Sequence, residues 1–124
     1  MIDGQGGGLG RQIVQAIKKR YPELSITAIG TNSSASSAML KAGADYSATG
    51  ENPVVVAARK ADVIIGPIGI VIADAMLGEV TPGSSAKRLL IPVNLCDNIV
   101  VGVSDYSISR LLDSLIAELG RIIS

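Results

Sequence analysis

Five glycines fall within eight residues near the start of the chain, in the run Asp3, Gly4, Gln5, Gly6, Gly7, Gly8, Leu9, Gly10. The stretch that follows, residues 11–20, has helical character. Glycines let a main chain bend sharply and approach a ligand closely, and a helix start presents unpaired N–H groups at the positive end of its dipole. The chemistry implied is the gripping of an anion, above all a phosphate. Backbone amides near Gly6 to Leu9 are the expected donors.

Three further groups stand where they would complete such a site. Thr31, Asn32 and Ser33 follow an apolar, β-branched stretch and are placed to touch a sugar or a second polar group. Nicotinamide-binding chains put an acidic residue near this point to hold the adenosine ribose, and here there is none. Gly66-Pro67-Ile68-Gly69 forms a second glycine turn, again after an apolar stretch. Asp74 and Glu79 supply carboxylates that orient a ligand or act as acid and base. With Asp3 they are also the groups that would bridge a divalent metal to phosphate, as magnesium is commonly held.

The absences narrow the chemistry. The chain has no histidine, which excludes His general bases, Ser-His-Asp and Cys-His arrangements and His metal ligands. No metal site is expected from spacing. The single cysteine, Cys96, has no histidine to activate it and is expected to be an ordinary turn residue; one thiol also fits a reducing, cytoplasmic setting. Eleven basic residues balance eleven acidic ones, and no basic run is interleaved with aromatics, so neither nucleic acid nor an anionic membrane is an expected partner. The apolar segment 63–73 is interrupted by Pro67 and two glycines and is too short to cross a bilayer. Met1 leads directly into the turn with no leader sequence before it.

These groups must be positioned by regular elements. The length of 124 residues, 48% hydrophobic, with a mean hydropathy of +0.43, predicts one domain over residues 1–124 with a well-buried sheet. Met1-Ile2 ends a first strand, and because two residues make a poor strand, either the chain starts before Met1 or the strand is trimmed here. Leu9, Ile13, Val14 and Ile17 give the first helix one buried face. Residues 24–29 read as a second strand, 36–42 as a short helix stopped by Gly43, and 44–48 as a third strand. Pro53 opens another helix. Residues 62–65 make an apolar central strand and 89–93 a further one, with Pro92 marking an edge. Only five residues link 89–93 to the apolar run 99–103, which predicts an antiparallel edge hairpin. A wide apolar band over 107–123, through Ile108, Leu112, Leu115, Leu119 and Ile122, predicts a last helix with surface left for self-association.

The fold expected is therefore α/β: a Rossmann-like, three-layer arrangement with a mostly parallel sheet and an antiparallel edge hairpin. Two glycine turns beyond neighbouring strands would define a crevice.

The Ile2-Asp3-Gly4-Gln5-Gly6-Gly7-Gly8 run, with Gly30-Thr31-Asn32-Ser33, Ala42-Gly43-Ala44-Asp45, Ala48-Thr49-Gly50-Glu51-Asn52, Ile65-Gly66-Pro67-Ile68-Gly69-Ile70 and Ala73-Asp74-Ala75-Met76-Leu77-Gly78-Glu79, resembles a family of small prokaryotic proteins known only as a domain of unknown function. The likeness spans nearly the whole chain. It implies a Rossmann-like fold and carries no activity. More loosely, Gly4, Gly8 and Gly10 are similar in spacing to the Gly-x-x-x-Gly-x-Gly turn of short-chain dehydrogenases. Those enzymes pair a Tyr with a Lys four residues later; here Arg110 follows Tyr106 and the pair is missing, so hydride transfer is not implied.

The function expected is a nucleotide- or phosphometabolite-binding protein, a cytoplasmic homodimer acting as sensor or regulator as readily as enzyme. Two alternatives stand beside it. One is a small enzyme using Asp74, Glu79 or Asp3, with or without a divalent metal. The other is a non-binding assembly module whose glycines are purely structural.

Overall fold

In the computed structural model the described residues are 1–3, 8–50, 53, 56–57, 60–67, 87–92, 101 and 107–124. Of the antiparallel hairpin expected over 89–103, the first strand is described and pairs in parallel with the strand at 63–67, while its turn with Cys96 and all of 99–103 except Val101 lie outside the described residues.

Among the described residues eight elements follow in order: β1 (Ile2–Asp3), α1 (Gly8–Arg20), β2 (Thr27–Gly30), α2 (Ser33–Lys41), β3 (Tyr46–Thr49), β4 (Val63–Pro67), β5 (Lys87–Ile91) and α3 (Ile108–Ile123). Pro53, Val56, Ala57 and Lys60 are helical as well. The protein is thus mixed α/β, and every described strand pair is parallel. Parallel neighbours need a crossover, and α1 and α2 supply it for the first three strands.

β1 pairs with β2 in the register Ile2↔Ile29, and β2 with β3 in the register Thr27↔Tyr46 through Gly30↔Thr49. β4 pairs with β5 from Val63↔Lys87 to Pro67↔Ile91. The two sheets meet where β1 lies alongside β4. One continuous core joins Ile13, Val14 and Ile17 of α1, Ala28 of β2, Met39 of α2, Ile65 of β4, Ile91 of β5 and Leu115 and Leu119 of α3. Ile2, Ile29 and Ile64, on the other face by strand alternation, are buried too.

Within the described residues, the strands expected near 24–29, 44–48, 62–65 and 89–93 and the helices expected near 11–20, 36–42 and 107–123 are present with shifted ends. Residues 24–26 precede β2 because the Ile26 amide donates to the Asp45 carboxylate at 2.8 Å instead of to a strand partner. α2 begins three residues earlier than its apolar pattern indicates. Asn32, in an extended conformation, accepts from the Ala35 amide at 2.9 Å and caps it. β4 continues through Gly66 and Pro67, which are strand residues and not the opening of a turn. β5 ends at Ile91, where Pro92 brings no amide to extend the ladder.

α1 closes on Lys18, Lys19 and Arg20, cations that complement its carboxyl-terminal dipole. α3 opens on Ser107, whose hydroxyl accepts from the Arg110 amide at 3.3 Å, and packs on β5 and α1.

Candidate functional site

The first turn begins at Asp3, the last residue of β1, whose side chain is only 1% exposed. One of its carboxylate oxygens, Oδ2, accepts from the Gly10 amide at 2.8 Å. An internal anion therefore satisfies one of the N–H groups that α1 would otherwise leave unpaired. The Asp3 carbonyl accepts from the Thr31 amide at 3.0 Å. Asp3 thus ties the first turn to the loop after β2, and two of the expected site segments, Gly8 to Gly10 and Thr31 to Ser33, come together through it.

Gly8 and Gly10 play different parts. A Cβ on Gly10 would stand 2.6 Å from Met39 Sδ, 2.8 Å from Asp3 Oδ2 and 2.9 Å from Asp3 Cβ. Glycine is required there so that α1 can press against β1 and α2. A Cβ on Gly8 would meet no described residue within 4 Å, and Gly8 is exposed at the amino end of α1.

The loop after β2 is fixed from below. A Cβ on Gly30 would lie 2.6 Å from the Ser36 nitrogen and 2.7 Å from the Asn32 oxygen, so only glycine lets β2 turn directly into α2. Ser36 is buried, and its hydroxyl lies 2.9 Å from the Ala48 carbonyl, 3.2 Å from the Asn32 carbonyl and 2.7 Å from Thr49 Oγ1. It pins α2 to the end of β3. Because Asn32 caps α2, its side-chain oxygen is committed to structure, while Ser33 is exposed.

Of the remaining expected site residues, Gly66 is buried near the end of β4, the strand beside β1. Gly4, Gln5, Gly6, Gly7, Gly69, Asp74 and Glu79 lie outside the described residues. Among the described residues no three carboxylates or thiols converge as a metal site would require. No helix among them is long and apolar enough to cross a membrane.

Two openings flank this region. The first is a 390 Å³ cavity at the amino ends of β1, β2 and β4, lined mainly by apolar side chains including Ile17, Ile26, Ile29, Ile64 and Leu119. An apolar lining is poorly suited to phosphate, and this cavity lies at the opposite strand ends from the turn between β1 and α1. The second is a groove between α1 and α2 lined by Arg11, Ser33, Ser34, Ser37, Ala38 and Lys41. Helical periodicity places Arg11 opposite the buried face of Leu9, Ile13, Val14 and Ile17 and gives no role to Ser37 or Lys41. A signal was present: Arg11 is a cation in the first turn of a helix that has no acidic residue there, against the dipole.

These observations define a class: a mixed α/β protein whose described strand pairs are all parallel. The chain belongs to the family described as Domain of unknown function (DUF3842), which it matches over residues 1–124. No curated protein and no solved structure matches it.

Proposed function

We propose that the protein binds a nucleotide or phosphorylated metabolite at the turn between β1 and α1. One observation carries the reading: β1 stands between β2 and β4, giving the order β3-β2-β1-β4-β5 with all pairs inside the two sheets parallel. We read the two sheets as one Rossmann-like sheet. The burial of Ile2, Ile29 and Ile64, with the helical residues Ala57 and Lys60 lining the same cavity, supports a third layer on their face. In this order the chain leaves β1 toward one edge and later returns at β4 toward the other, and ligands of open α/β sheets bind outside the carboxyl end of the strand at that reversal. That position is Asp3, Gly8 and Gly10. In this reading the phosphate lies against the amides near Gly6 to Leu9, in the space that Gly8 leaves open.

The protein is further read as a cytoplasmic homodimer, a sensor or regulator as readily as an enzyme. The apolar band of α3, with Ile108 39% and Ile123 41% exposed at its two ends, supports self-association. Sedimentation across a concentration series tests it: a species of constant monomer mass removes the dimer.

The ligand is tested by thermal denaturation with NAD⁺, NADP⁺, ATP, GTP, flavins and sugar phosphates. A ligand at one hundred times its dissociation constant stabilises the native state by about 2.7 kcal/mol, a shift of several degrees for a chain of this size. A panel that moves the midpoint for none of them overturns the proposal.

The Asp3–Gly10 hydrogen bond specifically favours the second reading, an assembly module, because it shows an internal anion already serving the helix start. The openness at Gly8 separates the two.

A further inference from the structure

The groove between α1 and α2 is a shallow, open depression, and its lining of Arg11, Ser33, Ser34, Ser37, Ala38 and Lys41 contains two cations, three hydroxyls and no carboxylate. Arg11 and Lys41 are exposed, and neither forms an ion pair with a described residue. The hydroxyls of Ser33, Ser34 and Ser37 have no hydrogen-bond partner among the described residues, in contrast to the fully engaged Ser36 between them. Ser33, Ser37 and Lys41 step by four along α2 and so share one face, turned toward Arg11 across the groove. Arg11 also follows Gly10 directly, one residue beyond the proposed phosphate turn.

Two unpaired cations among hydroxyl donors form a receptor for a multiply charged oxyanion. A phosphomonoester offers three oxygens, enough to take an arginine fork, an ammonium and hydroxyl donors together. Position selects where on a ligand this group sits. In sheets of the proposed kind the loop after the second strand faces the adenosine ribose. An acidic residue there accepts from a free ribose hydroxyl, while a nearby arginine accommodates a ribose phosphate. Residues 27–41 contain no Asp or Glu, and Asn32, the residue nearest that role, is occupied with the Ala35 amide.

We propose that this groove receives a phosphomonoester on the ribose of a dinucleotide whose pyrophosphate lies at the glycine turn, so that the protein selects 2′-phosphorylated dinucleotides over unphosphorylated ones. The proposal rests on the nucleotide-binding reading above.

The test is calorimetric titration with NADP⁺ and NAD⁺, which differ only by that phosphate, on the wild-type chain and on an Arg11→Gln/Lys41→Gln variant. Both substitutions are on exposed positions, and circular dichroism confirms the retained fold. The wild type is expected to bind NADP⁺ more tightly by on the order of tenfold or more, the scale of one or two charge-assisted hydrogen bonds. The variant is expected to bind the two with equal affinity. Equal or reversed preference in the wild type overturns the groove assignment, as does a preference that survives in the variant; in either case NAD⁺ binding leaves the glycine-turn reading standing. A chain that binds ATP or a flavin but neither dinucleotide also overturns it and keeps that reading. A chain that binds no nucleotide removes both.

Discussion

Asp3 Oδ2 accepts the Gly10 amide at 2.8 Å, tying the end of the first strand to the first turn of the first helix. The carboxylate is buried, it neutralises part of the positive end of α1, and it stands beside the place where a phosphate is proposed to sit. Its charge therefore stabilises the fold and opposes an anionic ligand at once.

Asp3→Asn separates these effects. The amide side chain can still accept from Gly10, but the charge is gone, so the variant should lose about 1 kcal/mol of stability in a denaturant titration. With the repulsion removed it should bind the nucleotide more tightly. If affinity falls instead, and falls only when magnesium is present, the carboxylate holds a metal and the enzyme alternative gains.

The paired variants Gly8→Ala and Gly10→Ala distinguish ligand binding from a structural role. On Gly10 the added methyl overlaps Met39 and Asp3 in a filled interior, and overpacking of this kind costs roughly 1–3 kcal/mol. On Gly8 it meets no described residue, and the higher helix propensity of alanine should leave the melting temperature equal or slightly raised. It does, however, fill the space assigned to the ligand, so nucleotide affinity should fall by on the order of tenfold. Unaltered affinity in Gly8→Ala would support the assembly module.

The contrast between those two glycines also marks where sequence reasoning stops. Spacing identifies a strand-to-helix turn and its apolar helix, because Ile13, Val14 and Ile17 can face only one way. It cannot tell an open glycine from a crowded one, since that depends on Met39 and Asp3, brought in by folding. The start of α2 was misplaced for a local reason. Ser33, Ser34, Ser36 and Ser37 are weak helix formers that compete for backbone hydrogen bonds, and the element is held by the Asn32 cap and by Ser36 reaching β3. The groove was legible only through its violations: an arginine against the dipole and polar residues recurring every four positions.

Ser36→Ala should loosen that junction. The hydroxyl lies within hydrogen-bond distance of both the Ala48 carbonyl and Thr49 Oγ1 inside the protein, and its removal leaves them short of a partner. A loss of about 1–2 kcal/mol is expected by chemical denaturation. Hydrogen exchange should speed up at the amides of α2 and β3 and stay unchanged in α3. A uniform change across all three would mean that Ser36 does not act at this junction.

Asp45 makes the fold sensitive to acid. Its Oδ2 lies 2.7 Å from the Lys18 ammonium and accepts from the Ile26 amide at 2.8 Å, joining α1, the approach to β2 and the approach to β3. The hydrogen bond from Lys18, then that from Ile26, hold the carboxyl below its ordinary value of 3.8. A group whose folded value is depressed contributes its stability above the unfolded value, and that stability is lost as pH falls through the folded one. The wild-type unfolding midpoint should therefore decline below about pH 4. Asp45→Asn keeps an acceptor for Ile26 but cannot titrate, so its midpoint should start lower at neutral pH and fall less steeply in that acid window. Parallel pH profiles for the two proteins would show that the Lys18–Asp45 contact adds nothing to folding, leaving Lys18 to its bond with the Leu24 carbonyl.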